Sequence, residues 1–330
     1  MKENTLFEGL SYMLAGLGLF MLGMRFLEDA LRRLAGRSFK LFLRRQAGNK
    51  LKAIAGGAIV TAVLQSGSVV NLMVLAFVGS GVLKLRHALA VILGSNIGTT
   101  LDSWVVALVG FRYSVETIAF PLLGVSGLMW ALSEKGGKWN QRAMLAFGVA
   151  ALFTGLDFIK SGFSGSVAGL DLSVLRSYPL FVFIAAGMIL TAIIQSSYAV
   201  VALVLGALHA GVLDIVPATA LVLGSELGTT LKLLVAAAGG DAAKRQVAWA
   251  NFFFNAVKIL VVGLMLGPIN TFIRDYLRLS DPLVALVTFQ SLINVAGALS
   301  FLPLLNPVAG FLERRVGEIF ESSSYISRVP

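Results

Sequence analysis

The chain has no cysteine and only two histidines, His87 and His209. The first absence excludes disulfides, thiolate metal sites and cysteine nucleophiles. The second leaves little for a zinc site, because neither histidine has neighbours at metal-ligand spacing. Charge is also scarce: Asp, Glu, Lys and Arg make up 13% of the 330 residues, against about 25% in an ordinary soluble domain. Hydrophobic residues reach 57% and the mean hydropathy is +0.85. A soluble chain of this length could not hide so much apolar surface in its core, whereas a bilayer removes the need. The 35 glycines suit helices that approach one another closely in lipid.

The charges that remain are biased. The net charge is +10, but the cations sit between apolar spans, so they read as topology signals and anchors to an anionic inner leaflet, not as a nucleic-acid surface. A first span, about Leu6 to Leu27, reads as a retained helix. Arg32 to Lys52 carries eight cations and no acid among interleaved Leu and Phe, which predicts a basic amphipathic helix on the cytoplasmic face. Ala53 to Leu83 is apolar but interrupted at Gln65-Ser66-Gly67-Ser68, which predicts a re-entrant hairpin. Tyr178 to Val212 repeats this, interrupted at Gln195-Ser196-Ser197. Ala88 to Gly110 and Ile215 to Ala238 predict transmembrane helices broken at Gly94–Thr100 and Gly224–Gly228. Val115–Leu132, Ala143–Ile159, Gln246–Leu266 and Leu283–Leu305 complete seven crossings. Loop charges then place the N-terminus outside, the loop with Asp171 and Arg176 outside, and the tail with Arg314 and Arg315 in the cytoplasm.

Two motifs recur at one offset. Thr61-Ala-Val-Leu-Gln65-Ser66 returns as Thr191-Ala-Ile-Ile-Gln195-Ser196, and Gly94-Ser95-Asn96-Ile97-Gly98-Thr99-Thr100 as Gly224-Ser225-Glu226-Leu227-Gly228-Thr229-Thr230. Two motifs displaced equally point to internal duplication. Three crossings between the hairpins make the second repeat inverted. The expected fold is therefore an all-α polytopic membrane protein of two inverted repeats, each with a re-entrant helical hairpin and a broken transmembrane helix. The expected segments are 1–52 (first helix and amphipathic helix), 53–177 (first repeat), 178–305 (second repeat) and 306–330 (cytoplasmic tail).

Free N–H groups at a half-helix start attract anions. Free carbonyls at a half-helix end attract sodium, with Ser, Thr and amide oxygens extending the shell. Glu226 stands where the first repeat has Asn96, and an acid at that depth is costly enough to suggest function, as a sodium ligand or a proton carrier. The structural reading is a neutral glutamate bonded to backbone. Asp102 and Lys232 follow the two breaks, the first a candidate sodium ligand and the second a counter-charge or a snorkelling lysine. Asn251 with Asn255, and Gln290 with Asn294, lie four apart on single helix faces and read as packing contacts more than as ligands.

With its paired Gln-Ser motifs, each followed by Gly-Ser-X-X-Gly-Thr-Thr, the sequence resembles the type II sodium–phosphate cotransporter family over roughly Gly56 to Pro307. The resemblance implies sodium-coupled transport of inorganic phosphate by alternating access, with a site between two hairpin tips. Carried over by position, the phosphate-binding residues are Gln65, Ser66, Ser68, Gln195, Ser196 and Ser197. The sodium-binding residues are Ser66, Asn96, Thr99, Thr100, Ser196, Glu226, Thr229 and Thr230. The chain departs from the family pattern at Gly67 and Tyr198, where serine is usual, and at Asn251-Phe-Phe-Phe-Asn255 and Gln290-Ser-Leu-Ile-Asn294, where relatives often carry His-X-X-Phe-Asn.

No catalytic residue is expected. A lipid-phosphate phosphatase would want an acid–base pair and cationic clamps, and neither motif holds histidine or arginine. A passive channel, or a sodium-coupled transporter of another anion or small solute, would also suit a polar motif within an apolar span. The expected partners are phosphate, sodium as the coupling ion with no other cofactor, and the bilayer of an inner membrane; a homodimer stays open.

Overall fold

A computed structural model describes residues 2–46, 49–167 and 177–314. Among them every regular element is helical. The elements are α1 (Lys2–Gln46), α2 (Lys50–Leu64), α3 (Gly67–Gly79), α4 (Leu85–Val105, extended by a π-helical turn at Val106–Gly110), α5 (Glu116–Leu132) and α6 (Lys138–Val167). Then follow α7 (Leu180–Ile194), α8 (Ser197–His209), α9 (Ile215–Ala238), α10 (Ala242–Leu264), α11 (Leu266–Thr271, with a π turn at Phe272–Tyr276) and α12 (Pro282–Phe301). Residues 305–314 are helical as well. The loop around Asp171 and Arg176, and the tail from Arg315 onward, lie outside the described residues.

Among the described residues, six helices are long and apolar enough to cross a membrane: Leu6–Leu34, Leu85–Gly110, Lys138–Gly165, Ile215–Ala238, Ala242–Leu264 and Pro282–Phe301. The seventh expected crossing, Glu116–Leu132, has 17 residues and is the shorter kind. The chain is thus a multi-pass α-helical membrane protein.

Two expectations need correction. The first span and the basic segment after it are not two helices. α1 runs 45 residues without interruption, roughly 68 Å at 1.5 Å per residue, so its basic end continues a spanning helix. Asn49 then caps α2, its side chain accepting from the Leu51 N–H at 2.8 Å. The second correction is larger. Neither Gly94–Thr100 nor Gly224–Gly228 breaks its helix: α4 and α9 are continuous α-helix through both motifs. The glycines serve packing instead. A Cβ on Gly98 would lie 2.5 Å from the Ala58 carbonyl oxygen of α2, and one on Gly228 2.7 Å from that of Met188 in α7. Gly94 and Gly224 press still closer, on the carbonyls of Ile54 and Ile184, while Gly57 and Gly187 meet those of Val91 and Leu221. Each contact recurs 130 residues later, so the duplication extends from sequence to backbone packing.

The chain divides into two compact units. One comprises Met1–Gly36, Thr100–Gly228 and Val262–Ser291; the other comprises Arg37–Thr99, Thr229–Val261 and Leu292–Pro330. In the first unit, α1 and α6 pack through glycines seven residues apart. A Cβ on Gly16 would sit 2.6 Å from the Gly155 carbonyl, one on Gly23 2.8 Å from that of Gly148, and one on Gly162 2.7 Å from that of Gly9. Such contacts suit helices held by close packing in lipid, where no hydrophobic force draws them together. α9 is tied to α11 by Asn270, whose amide donates to Thr219 Oγ1 at 3.0 Å. In the second unit, α10 is tied to the C-terminal helix by Gln246, whose amide donates to the Leu312 carbonyl at 3.1 Å.

Candidate functional site

The interruptions expected at the two Gln-Ser motifs are present, with the same backbone in each. α2 ends at Leu64, and Gln65 follows in the left-handed region at φ 53, ψ 32. α7 ends at Ile194, and Gln195 follows at φ 57, ψ 25. In both, the glutamine N–H turns back to the threonine four residues earlier, Thr61 or Thr191. The next residue is extended, Ser66 at φ −157 and Ser196 at φ −144, and each serine caps the helix that it opens. Ser66 Oγ accepts from the Val69 N–H at 3.3 Å, and Ser196 Oγ from the Ala199 N–H at 3.3 Å. Each tip therefore presents the start of a helix, with N–H groups suited to an anion. Ser68 and Ser197 stand half-buried in these first turns.

In the second unit the tip docks on α4. A Cβ on Gly67 would lie 2.8 Å from Thr99 Cγ2 and 3.3 Å from Ser95 Oγ, and Thr61 Oγ1 donates to Ser95 Oγ at 2.8 Å. Gly67, the departure from Gln-Ser-Ser-Ser, has a physical reason here: its missing side chain admits Thr99. The Thr99 hydroxyl donates to the Asn96 carbonyl at 2.8 Å, leaving its lone pairs for a cation. Gln65, Ser66, Ser68, Asn96 and Thr99 thus belong to one unit, along with Thr229 and Thr230.

The first unit holds Gln195, Ser196, Ser197, Thr100 and Glu226. Here Glu226 accepts from the Gln290 amide at 3.1 Å, and both are buried. The repeats differ in how their hydroxyls are used. Ser225 Oγ donates within its own helix to the Val222 carbonyl at 2.7 Å, so Thr191, the counterpart of Thr61, is left with a buried hydroxyl lacking a hydrogen bond. The oxygens of Asp102 and Ser103, the Tyr198 hydroxyl and Gln290 Oε1 are likewise buried without a well-formed hydrogen bond. The Tyr198 hydroxyl lies close enough to Asp102 to interact with it. Buried oxygens left short of partners call for an explanation such as an ion or an unseen water. Asp102, singled out by its place after the motif, lies 3% exposed among them.

Among the described residues no three His, Asp or Glu side chains converge as for a transition metal. The hydroxyl, amide and carboxylate oxygens present are the hard-ligand type that sodium takes.

Sequence reasoning missed Lys258. It lies inside α10 among apolar neighbours, yet it is only 7% exposed, and its ammonium donates to Asn294 Oδ1 at 2.8 Å. It lines a small cavity with Asn96, Asn255 and Asn294. A signal was there: Asn251, Asn255 and Lys258 are spaced four and three apart, which is one helix face.

Against known proteins, the family described as Na+/Pi-cotransporter matches residues 19–161 and 173–291. The protein YqeW of Bacillus subtilis, named as uncharacterized, is 29% identical over 296 residues, covering 87% of this chain and 92% of its own. A protein of Escherichia coli K12 named putative inorganic phosphate export protein YjbB is 25% identical over 311 residues, 92% of this chain and 55% of its own. The chain therefore spans about half the length of the YjbB relatives that it matches. The human sodium-dependent phosphate transport protein 2B is 30% identical over 112 residues, 32% of this chain and 16% of its own. No solved structure matches.

Proposed function

The chain belongs to the Na+/Pi-cotransporter family, and we propose that it couples the movement of sodium to that of inorganic phosphate by alternating access. The observation that carries this is the doubled tip: a left-handed glutamine followed by a serine that caps a new helix, at Gln65-Ser66 and again at Gln195-Ser196. Phosphate is taken by the helix starts, the hydroxyls of Ser66, Ser68, Ser196 and Ser197, and the amides of Gln65 and Gln195. Sodium is taken by oxygens of Ser66, Asn96, Thr99, Thr100, Ser196, Glu226, Thr229 and Thr230. Sodium must bind the loaded state more tightly than the empty one, or no coupling arises.

The repeats of this reading are 53–177 and 178–305, inverted, each with a hairpin that re-enters the membrane from its own side. The protein sits in an inner membrane with its N-terminus outside and its C-terminus in the cytoplasm, against an anionic leaflet. It carries out no catalysis, since the motifs supply oxygens and N–H groups without an acid–base pair.

The test is radiolabelled phosphate flux in proteoliposomes, inward and outward, with and without a sodium gradient. Sodium-driven accumulation that sulfate does not compete away is the expected result. Flux indifferent to sodium would overturn the coupling. The word export in the YjbB name is a reason to measure both directions. Phosphate release from a lipid pyrophosphate by the pure protein would overturn the assignment as a transporter.

A further inference from the structure

Lys258 lies roughly 24 Å along α10 from its start and roughly 9 Å from its end, well within the span. A lysine so placed commonly snorkels toward the headgroups. This one does not, because 93% of its surface is covered by protein. A Cβ on Gly297 would come within 3.2 Å of its Cδ, so its stem lies along α12 at a glycine. Its ammonium donates to Asn294 Oδ1 at 2.8 Å. The cavity beside it is also lined by Asn96 and Asn255, with Leu93, Phe254 and Ala298 among the apolar walls. Asn255 is held in place by its own amide, which donates to the Asn251 carbonyl at 2.9 Å and to Asn251 Oδ1 at 3.1 Å. The cavity measures about 10 Å³, room for about one water and far too little for phosphate.

Asparagines from three helices, Asn96, Asn255 and Asn294, thus line one small cavity with Lys258, and amide oxygens are ligands that suit a monovalent cation. Lysine brings a compact point charge on a flexible stem. A second cation about 4 Å away would be repelled enough to weaken its binding roughly a thousandfold at an effective dielectric of 20. We infer that Lys258 is a tethered cation: it holds, in the second unit beside Asn96, a position that a free sodium ion would otherwise fill, so that phosphate moves with one fewer coupling ion. The inference rests on the sodium-coupled reading above. It changes the part given to Asn96, which becomes a neighbour of the fixed charge instead of a ligand to a mobile one.

The experiment reads ion binding, so it stands apart from the flux test. Purified full-length protein in detergent is melted in NaCl and in choline chloride of equal concentration, as wild type, Lys258→Ser and Lys258→Met. Serine vacates the position and offers an oxygen; methionine removes the charge but keeps the space filled with apolar atoms. Lys258→Ser should gain a sodium-specific rise in melting temperature, corresponding to a tenfold or greater increase in apparent sodium affinity over wild type. Lys258→Met should gain none. A sodium response in Lys258→Ser equal to that of wild type overturns the inference, as does an equal gain in Lys258→Met. Recovery of Lys258→Ser only in sodium buffers is the expected result at its limit. Its loss in both salts while Lys258→Met folds overturns the inference, because sodium should have replaced the charge. If flux proves indifferent to sodium while Lys258→Ser gains its sodium response, the coupling fails and the cation site stands.

Discussion

Adding one methyl group to Gly98 or Gly228 tests whether the doubled Gly-Ser-X-X-Gly motif exists to bring helices together. On Gly98 the new Cβ would stand 2.5 Å from the Ala58 carbonyl oxygen and 2.7 Å from Thr61 Cβ; on Gly228 it would stand 2.7 Å from the Met188 oxygen and 2.6 Å from Thr191 Cβ. Ordinary contact begins near 3.4 Å, so each helix pair must part by nearly 1 Å. The obstacle is backbone oxygen and a β-branched stem, neither of which can swing aside. Overpacking of this kind costs about 1–3 kcal/mol. We expect Gly98→Ala and Gly228→Ala each to lose about 2 kcal/mol, and Gly224→Ala more, since Gly224 lies closer to its partner. Gly124→Ala is the control: its Cβ would meet nothing within 4 Å, and alanine is the better helix former by about 1 kcal/mol. Thermal and denaturant unfolding of the purified protein in one detergent measures all four. If Gly98→Ala and Gly228→Ala match Gly124→Ala in stability, the close packing is not what these glycines are for, and helix breakage would again have to be considered.

Removing the cap in Ser66→Ala or Ser196→Ala should cost about 1 kcal/mol each in the same unfolding assay, while a bulky residue at either place should abolish phosphate flux without preventing insertion. Gln290→Leu takes from Glu226 one buried hydrogen bond of 3.1 Å and should cost about 2 kcal/mol, with a weakened sodium dependence in flux measurements; an unchanged melting temperature would count against the pairing. Asp241 caps α10 by accepting from the Lys244 N–H at 2.9 Å, and that bond, with the Lys244 charge, holds its carboxyl below the ordinary carboxylate range. Its contribution is therefore present at neutral pH and lost as pH falls through the lowered value. Asp241→Ala should cost about 1 kcal/mol at pH 7, and the difference from wild type should vanish in acid; a difference independent of pH would refute the carboxylate as its source.

The sequence was most legible where spacing alone carried the meaning. The shared offset of 130 residues announced a duplication, and the chain indeed turns at Gln65 and Gln195 with nearly equal dihedral angles. It misled where composition stood in for geometry. Glycine, serine and threonine in Gly94–Thr100 look like a break in a transmembrane helix, but in lipid the same small residues mark a tight helix contact, and the neighbour's carbonyl oxygens distinguish the two. The glycines of α1 and α6 gave a fair signal: Gly9, Gly16 and Gly23 are seven apart, as are Gly148, Gly155 and Gly162. Lys258 is hidden for another reason. Cations in a chain of this kind read as loop markers, and a single lysine within an apolar run looks like part of the crossing.

The two glutamines at the tips carry a tension that glycine would relieve. A residue with a side chain in the left-handed region costs about 1–2 kcal/mol, and most chains place glycine where a helix ends this way. At Gln65 some of that cost is returned, because its amide donates to the Ala62 carbonyl at 2.7 Å, satisfying one of the orphan acceptors of α2. Gln195 adopts the same backbone without such a bond among those described, and its side chain is exposed. One tip is thus closed on itself and the other keeps its amide uncommitted. Two tips with one backbone thus differ in how firmly the left-handed residue is held, and the tip at Gln195 bears its conformational cost with less local compensation than the tip at Gln65.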